Sequence, residues 1–282
     1  MGLQTYRFST SWSRVRPDGG ALNPEGVDFY ERLVDELLAA DILPWLTLYH
    51  WDLPQALQNR GGWANRDTCE RFRDYAAVMF EQLGDRVTQW VTHNEPRVVT
   101  FTGHWLGVIA PGHRDFGEAL QVAHHLLLSH GYAVQAFRQA GRPGEIGICQ
   151  AILPRYPADP ASTADAAAAR RENEAYNGWF CDPVLDGRYP AELWRWYEAK
   201  WITMPEMGTD DLKIIAAPSD FLGINYYTCL HVRHDKTAWP LEGAYVPQGR
   251  DRIETGGEIW PEKLQDTLLQ FHARYPNLKL RI

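Results

Sequence analysis

The sequence predicts an α/β fold whose parallel sheet curls as a (β/α)8-type barrel, and three observations point there. Short apolar runs alternate with amphipathic helical stretches along the chain, the pattern that builds parallel sheets through right-handed crossovers. Three runs end in polar and aromatic residues: Thr47-Leu48-Tyr49-His50-Trp51, Thr92-His93-Asn94-Glu95-Pro96 and Gly223-Ile224-Asn225-Tyr226-Tyr227. Barrel strands place such residues around a site at their C-terminal ends. No Gly-x-Gly-x-x-Gly and no Walker lysine motif occurs, which favours a barrel over a nucleotide-binding doubly wound sheet.

The elements follow in order. Residues 6–10 are aromatic and β-prone, the first strand. Asn23-Pro24-Glu25 reads as a cap, a first-position proline and a first-turn acid. Val27, Tyr30, Val34, Leu37 and Leu38 then repeat at helical spacing. Residues 42–51 form the second run. Asp67 with Glu70 resembles a capping box, Phe72 to Leu83 carry a helical stripe, and Gly84 can close it. Residues 87–92 are the third strand, 116–140 a long helix ended by Gly141, and 146–152 the fourth strand. Residues 162–180 and 191–200 read as helices, 221–228 as the fifth strand, 261–275 as a helix, and 278–282 as a sixth strand barely begun. Six strands do not close an eight-stranded barrel, so the expected barrel is partial.

Composition sets the partners aside. Lys and Arg number 28 against 36 Asp and Glu, a net charge of −8 with no basic block; this argues against nucleic acid and anionic membranes. No apolar stretch reaches the roughly 18–20 residues of a membrane span. The first residues lack an apolar signal-peptide core, so a cytoplasmic location is expected. Cys69, Cys149, Cys181 and Cys229 are widely spaced and read as reduced thiols. His124, His125 and His130 lack the i, i+4 spacing of a metal pair, and neither metal nor cofactor is expected. The 12 tryptophans serve core packing first and sugar stacking second.

Glu95 leads the candidates for chemistry. It follows an apolar strand, precedes the strand-ending Pro96, and has the amide of Asn94 beside it. A carboxyl in that position suits acid/base work on a glycosidic oxygen, or is simply a solvated loop residue. His50 and Trp51 read as sugar contacts or as packing, and so do Asn225, Tyr226 and Tyr227. Arg7 inside a β-run needs a partner, because a buried unpaired charge is costly.

Together these motifs resemble the family-one glycoside hydrolases, the β-glucosidase-like barrels. The resemblance rests on Tyr6-Arg7-Phe8-Ser9-Thr10-Ser11-Trp12, Leu48-Tyr49-His50-Trp51-Asp52-Leu53-Pro54, Gly61-Gly62-Trp63, Trp90 to Pro96, Ala110-Pro111-Gly112, Asp182-Pro183 with Gly187-Arg188-Tyr189-Pro190, and Phe221 to Thr228, in that order. It implies a single incomplete barrel domain over 1–282 that hydrolyses a β-glucoside or oligosaccharide with retention. By resemblance, Glu95 is the acid/base, and Asn94 binds the sugar 2-hydroxyl. His50, Trp51 and Asn225 line the same subsite, and Arg7 with Tyr227 holds and tunes the nucleophile. The family's nucleophile lies in a Thr-Glu-Asn-Gly, and by that alignment the chain stops two residues short of it. The resemblance therefore implies strands two to early seven, truncated at both ends, with the 282 residues alone inactive. A sugar-binding protein without turnover is the alternative. Arg97 stands where the family often has an aromatic facing the aglycone, and Gly257 where it usually has Trp; Glu254 and Glu258 are remote candidates for a substitute nucleophile.

Overall fold

The computed structural model describes residues 2–254 and 256–282. Its strands are β1 (Thr5–Ser9), β2 (Leu43–Tyr49), β3 (Gln89–Asn94), β4 (Glu145–Ile152), β5 (Arg155–Pro157), β6 (Phe221–Tyr226), β7 (Leu230–His234), β8 (Gly243–Tyr245) and β9 (Lys279–Arg281). Six of them form one all-parallel curled sheet in the order β1-β2-β3-β4-β6-β9. This is the partial barrel that the alternating pattern predicts, with neighbouring strands joined through helical crossovers.

The helices form where the sequence gives them one apolar face. Pro24–Ala39 opens on its proline and turns Val27, Tyr30 and Val34 inward. Asp67–Leu83 buries Phe72, Tyr75, Ala76, Met79 and Phe80. Phe116–Ala140 is capped by Asp115, whose side chain accepts the Glu118 amide, and closes on Gly141 at φ 61°. Gly131 of that helix lies so near the short helix Asp211–Ile215 that a Cβ there would meet the Ile214 carbonyl at 2.1 Å. Trp12, Trp63, Phe72 and Tyr75 form one buried aromatic cluster: Trp12 stacks on Tyr75 with ring centres 5.2 Å apart, and Trp63 and Phe72 meet Trp12 tilted or edge-on. The four cysteines are free and buried.

Several local expectations are corrected. The Asp67 capping box does not form: Asp67 is the first helical residue, and Arg66 precedes it without a side-chain cap. Asn23 precedes its helix but turns its amide to the Arg14 carbonyl instead. Gly84 does close its helix, as expected, but in an ordinary right-handed conformation at φ −74°, with its amide on the Phe80 carbonyl. The helix expected over 162–180 does form, running without a break from Thr163 to Asp186, with a wider π turn at Glu174–Gly178 and an end six residues later than expected. A small second sheet, β5-β7-β8, packs beside the main one.

Register brings the strand ends level. Ser9 lies opposite Thr47, Tyr49 opposite His93, Asn94 opposite Cys149, and Ala151 opposite Asn225. Between Val91 and Asn94 the β3–β4 register shifts. A bulge of this kind bends the strand and re-aims its side chains, a device common beside active sites.

Candidate active site

The C-terminal ends of β1, β2, β3 and β6 meet at one mouth. The Tyr226 hydroxyl turns away to the Trp260 carbonyl at 2.6 Å, whereas Arg7, His50, Trp51, Asn94, Glu95, Asn225 and Tyr227 join one network. Asn94 is its hub. Its Oδ1 accepts the Arg7 guanidinium at 2.7 Å and the Asn225 amide at 3.1 Å. Its Nδ2 donates to His50 Nε2 at 3.1 Å, and its carbonyl accepts the Trp51 indole N–H at 2.8 Å. Asn94 is 3% exposed and Glu95 4%, while His50 and Trp51 stand at the open rim.

Glu95 is set by its backbone and held by its side chain. It adopts φ 50°, in the left-handed region, and its amide donates to the Cys149 carbonyl at 2.8 Å. Trp51 is likewise left-handed, at φ 83°. Such strain costs on the order of 1–3 kcal/mol per residue and gathers at functional sites. Glu95 Oε1 accepts the Tyr227 hydroxyl at 2.9 Å and Asn225 Nδ2 at 2.5 Å. Both donors fall on the one oxygen.

The surroundings fix protonation states. Burial, reinforced by its bond to Glu95, pushes the Tyr227 hydroxyl up to about 12, so it remains a donor. Desolvation and then the Arg7 charge push His50 down, which keeps its ring neutral and able to accept from Asn94. Asp52, beside it, is pushed up, chiefly by burial. A neutral imidazole and a neutral phenol beside one carboxyl make a site that can hydrogen-bond sugar hydroxyls and move a single proton.

Arg7, expected as a buried charge in need of a partner, is instead exposed, and it meets neutral dipoles rather than a carboxylate. Besides Asn94 it reaches Thr47 Oγ1 at 3.1 Å and the Cys149 sulfur at 3.6 Å. The Cys149 thiol donates to Asn225 Oδ1 at 3.1 Å. Nothing in the sequence marks Thr47 and Cys149 as supports of Arg7, because only the folded strand registers bring them within its reach. A cavity of about 330 Å³ beneath the network is lined by Arg7, Trp45, Cys149, Phe221, Asn225 and Arg281. The larger cleft, about 800 Å³, lies among the helices of residues 163–199 and 261–274 and touches none of these groups.

Arg97 stacks over Tyr176, with its guanidinium 5.6 Å from the ring centre, and burial lowers its pKa to about 10. The two remote glutamates part company. Glu258 is fully buried, and its Oε1 accepts the amides of Gln248, Gly249 and Arg250 at 2.8, 2.9 and 3.3 Å. It clasps a loop and faces no open site. Glu254 is exposed on that loop.

The sequence matches the family described as glycosyl hydrolase family 1 over residues 1–281. The chain belongs to that family. It is 43% identical to β-glucosidase A of Acetivibrio thermocellus over 99% of its own length and 63% of that protein's. It is 40% identical to β-glucosidase A of Thermotoga maritima, covering 98% of itself and 61% of the relative. The solved AHE enzyme of Alicyclobacillus herbarius superposes with a TM-score of 0.95 at 44% identity, covering 99% of this chain and 62% of that one. This family 1 chain thus spans roughly three-fifths of the length of the relatives it matches, and its curled sheet is the matching part of their barrels.

Proposed function

We propose that the chain carries the acid/base half of a retaining β-glycosidase site for terminal β-linked sugars, β-glucosides first. The convergence of Tyr227 and Asn225 on one oxygen of Glu95, beside an Asn94 locked by Arg7, supports this reading above all. Glu95 gives its proton to the glycosidic oxygen as the bond breaks, then takes one from the water that completes hydrolysis. Asn94 holds the sugar 2-hydroxyl, and a bond that tightens as positive charge grows at the anomeric carbon helps the transition state more than the ground state. His50, Trp51 and Asn225 bind the same sugar. In the whole protein Arg7 and Tyr227 would hold and tune the nucleophile carboxylate; in this chain they donate to Asn94 and Glu95. Arg97 borders the aglycone.

Retention uses two carboxyls about 5–5.5 Å apart. The network around Asn94 contains one, Glu95. We therefore propose that these 282 residues by themselves bind sugar without turning it over. A related Thermotoga maritima β-glucosidase, 39% identical with a TM-score of 0.92, is solved in complex with deoxynojirimycin, which recommends that compound as the probe.

The test is calorimetric titration of the purified chain with deoxynojirimycin, run beside an assay on p-nitrophenyl β-glucoside. The expected result is saturable binding, weakened at least about tenfold by Asn94→Ala, the loss of one charge-supported hydrogen-bonding group, with no turnover. Hydrolysis at rates typical of enzymes overturns the binding-only reading. Absence of binding by a chain with a cooperative melting transition overturns the site itself.

A further inference from the structure

We propose that His104, His113 and Glu118 form a binding site for a divalent transition metal of the zinc class, apart from the sugar site. The segment that carries them leaves Glu95, runs through the wide helical turn Val98–Trp105, loops over 106–115 and enters the long helix Phe116–Ala140. His104 Nδ1 and His113 Nδ1 both meet Glu118 Oε1 at 2.6 Å. The three ligand atoms lie within 4.8 Å of one another. Two imidazoles and a carboxylate with room for water form a familiar three-ligand zinc set.

The frame around them is already ordered. His104 is 1% exposed, and its carbonyl accepts the Asp115 amide at 2.8 Å. The Asp115 side chain in turn caps the helix through the Glu118 amide at 2.9 Å. Backbone bonds therefore fix two of the three ligands before any ion arrives, and preorganisation reduces the ordering cost of binding. The rings of His104 and His113 stand nearly perpendicular, at 88° with centres 5.3 Å apart, so their nitrogens approach Glu118 from different directions. Zinc–ligand bonds of about 2.0–2.2 Å put tetrahedral ligand atoms roughly 3.4 Å from one another. The two His–Glu spacings of 2.6 Å need to open by less than about 1 Å, and the His113 and Glu118 side chains, 43% and 29% exposed, have the freedom to do so. That exposed side also provides the entry path and the place for a water ligand. Asp115 adds a second carboxylate in the same turn, which offsets the positive end of the helix dipole.

The rival account is a hydrogen-bonded trio, with one carboxylate oxygen shared by two imidazoles and no ion. Titrating tag-free, EDTA-dialysed chain with ZnCl2 by calorimetry separates the two, with a thermal melt and the Co(II) visible spectrum as further readouts. The metal site predicts one zinc per chain, affinity lowered at least about tenfold by His113→Ala and by Glu118→Gln, and a tetrahedral Co(II) spectrum lost in both variants. It also predicts a melting temperature raised by zinc in the parent but not in His113→Ala. His113 is half exposed, so the zinc-free variant should melt where the zinc-free parent does, which guards against misreading a folding defect. No saturable binding, or binding that both variants retain unchanged, overturns the proposal.

Discussion

Asp211→Asn should destabilise the protein by about 3 kcal/mol. Asp211 is 2% exposed at its side chain and receives four donors. Arg66 meets both oxygens at 2.5 and 2.7 Å, His124 Nε2 meets one at 2.9 Å, and the Gly208 amide meets it at 2.7 Å. His124 passes the chain on through Nδ1 to the Tyr189 hydroxyl at 2.9 Å. An asparagine keeps one acceptor oxygen and sets an NH2 against a donor. Arg66 is 45% exposed, so its lost contact counts only as a surface pair, about 0.5–1 kcal/mol. The buried His124 and Gly208 bonds each lose charge assistance, about 1 kcal/mol apiece. At about 2 °C per kcal/mol for a chain this long, the melting temperature falls by about 6 °C. Circular-dichroism melts of the two proteins measure it. Burial alone would raise the Asp211 pKa, but Arg66, His124 and Gly208 together hold it well below the usual carboxylate range. A depressed native pKa contributes stability that is fully present above about pH 4, the unfolded value, and is lost as pH falls through the native one. The gap between the proteins must therefore narrow from pH 5 towards pH 2.5. A variant melting within about 1 °C of the parent at pH 7, or a gap that does not close in acid, refutes the assignment.

Two further outcomes follow from close packing. Gly131→Ala would drive its methyl to 2.1 Å from the Ile214 carbonyl, so the helices must part; a loss of about 2–3 kcal/mol in urea unfolding is expected, as for other overpacked sites. Glu258→Gln removes the charge that three loop amides share; hydrogen exchange over residues 246–252 should quicken several-fold while the global melting transition moves far less.

The sequence exposed the parts of this molecule that repeat or that carry a motif. The long helix Phe116–Ala140 has a cap, a closing glycine and an unbroken apolar face, and its predicted bounds are the observed ones. The strand ends at His50, Asn94 and Asn225 were legible because polar residues ending apolar runs need a reason to be there. Three-residue strands such as Arg155–Pro157 and Gly243–Tyr245 are too short for any periodicity to register. The Asp67 cap failed because the turn begins earlier: the Asn65 carbonyl accepts the Thr68 amide and its side-chain oxygen accepts the Asp67 amide, so Asp67 is already the first helical residue. His124 and His125 lacked metal spacing and so looked inert, whereas His104 and His113 belong to different elements whose meeting only the loop between them decides.

Sequence distance within the sugar site has a kinetic consequence. Arg7 bonds Asn94 across 87 residues and Asn225 across 218, and Asn225 bonds Glu95 across 130. No local hairpin or helix can assemble any of these pairs early. The pocket must appear among the last events of folding, after the loops between β1, β3 and β6 have been closed. A sugar mimic that binds only the finished pocket would therefore slow unfolding rather than speed folding, and would protect the chain from protease in proportion to its occupancy.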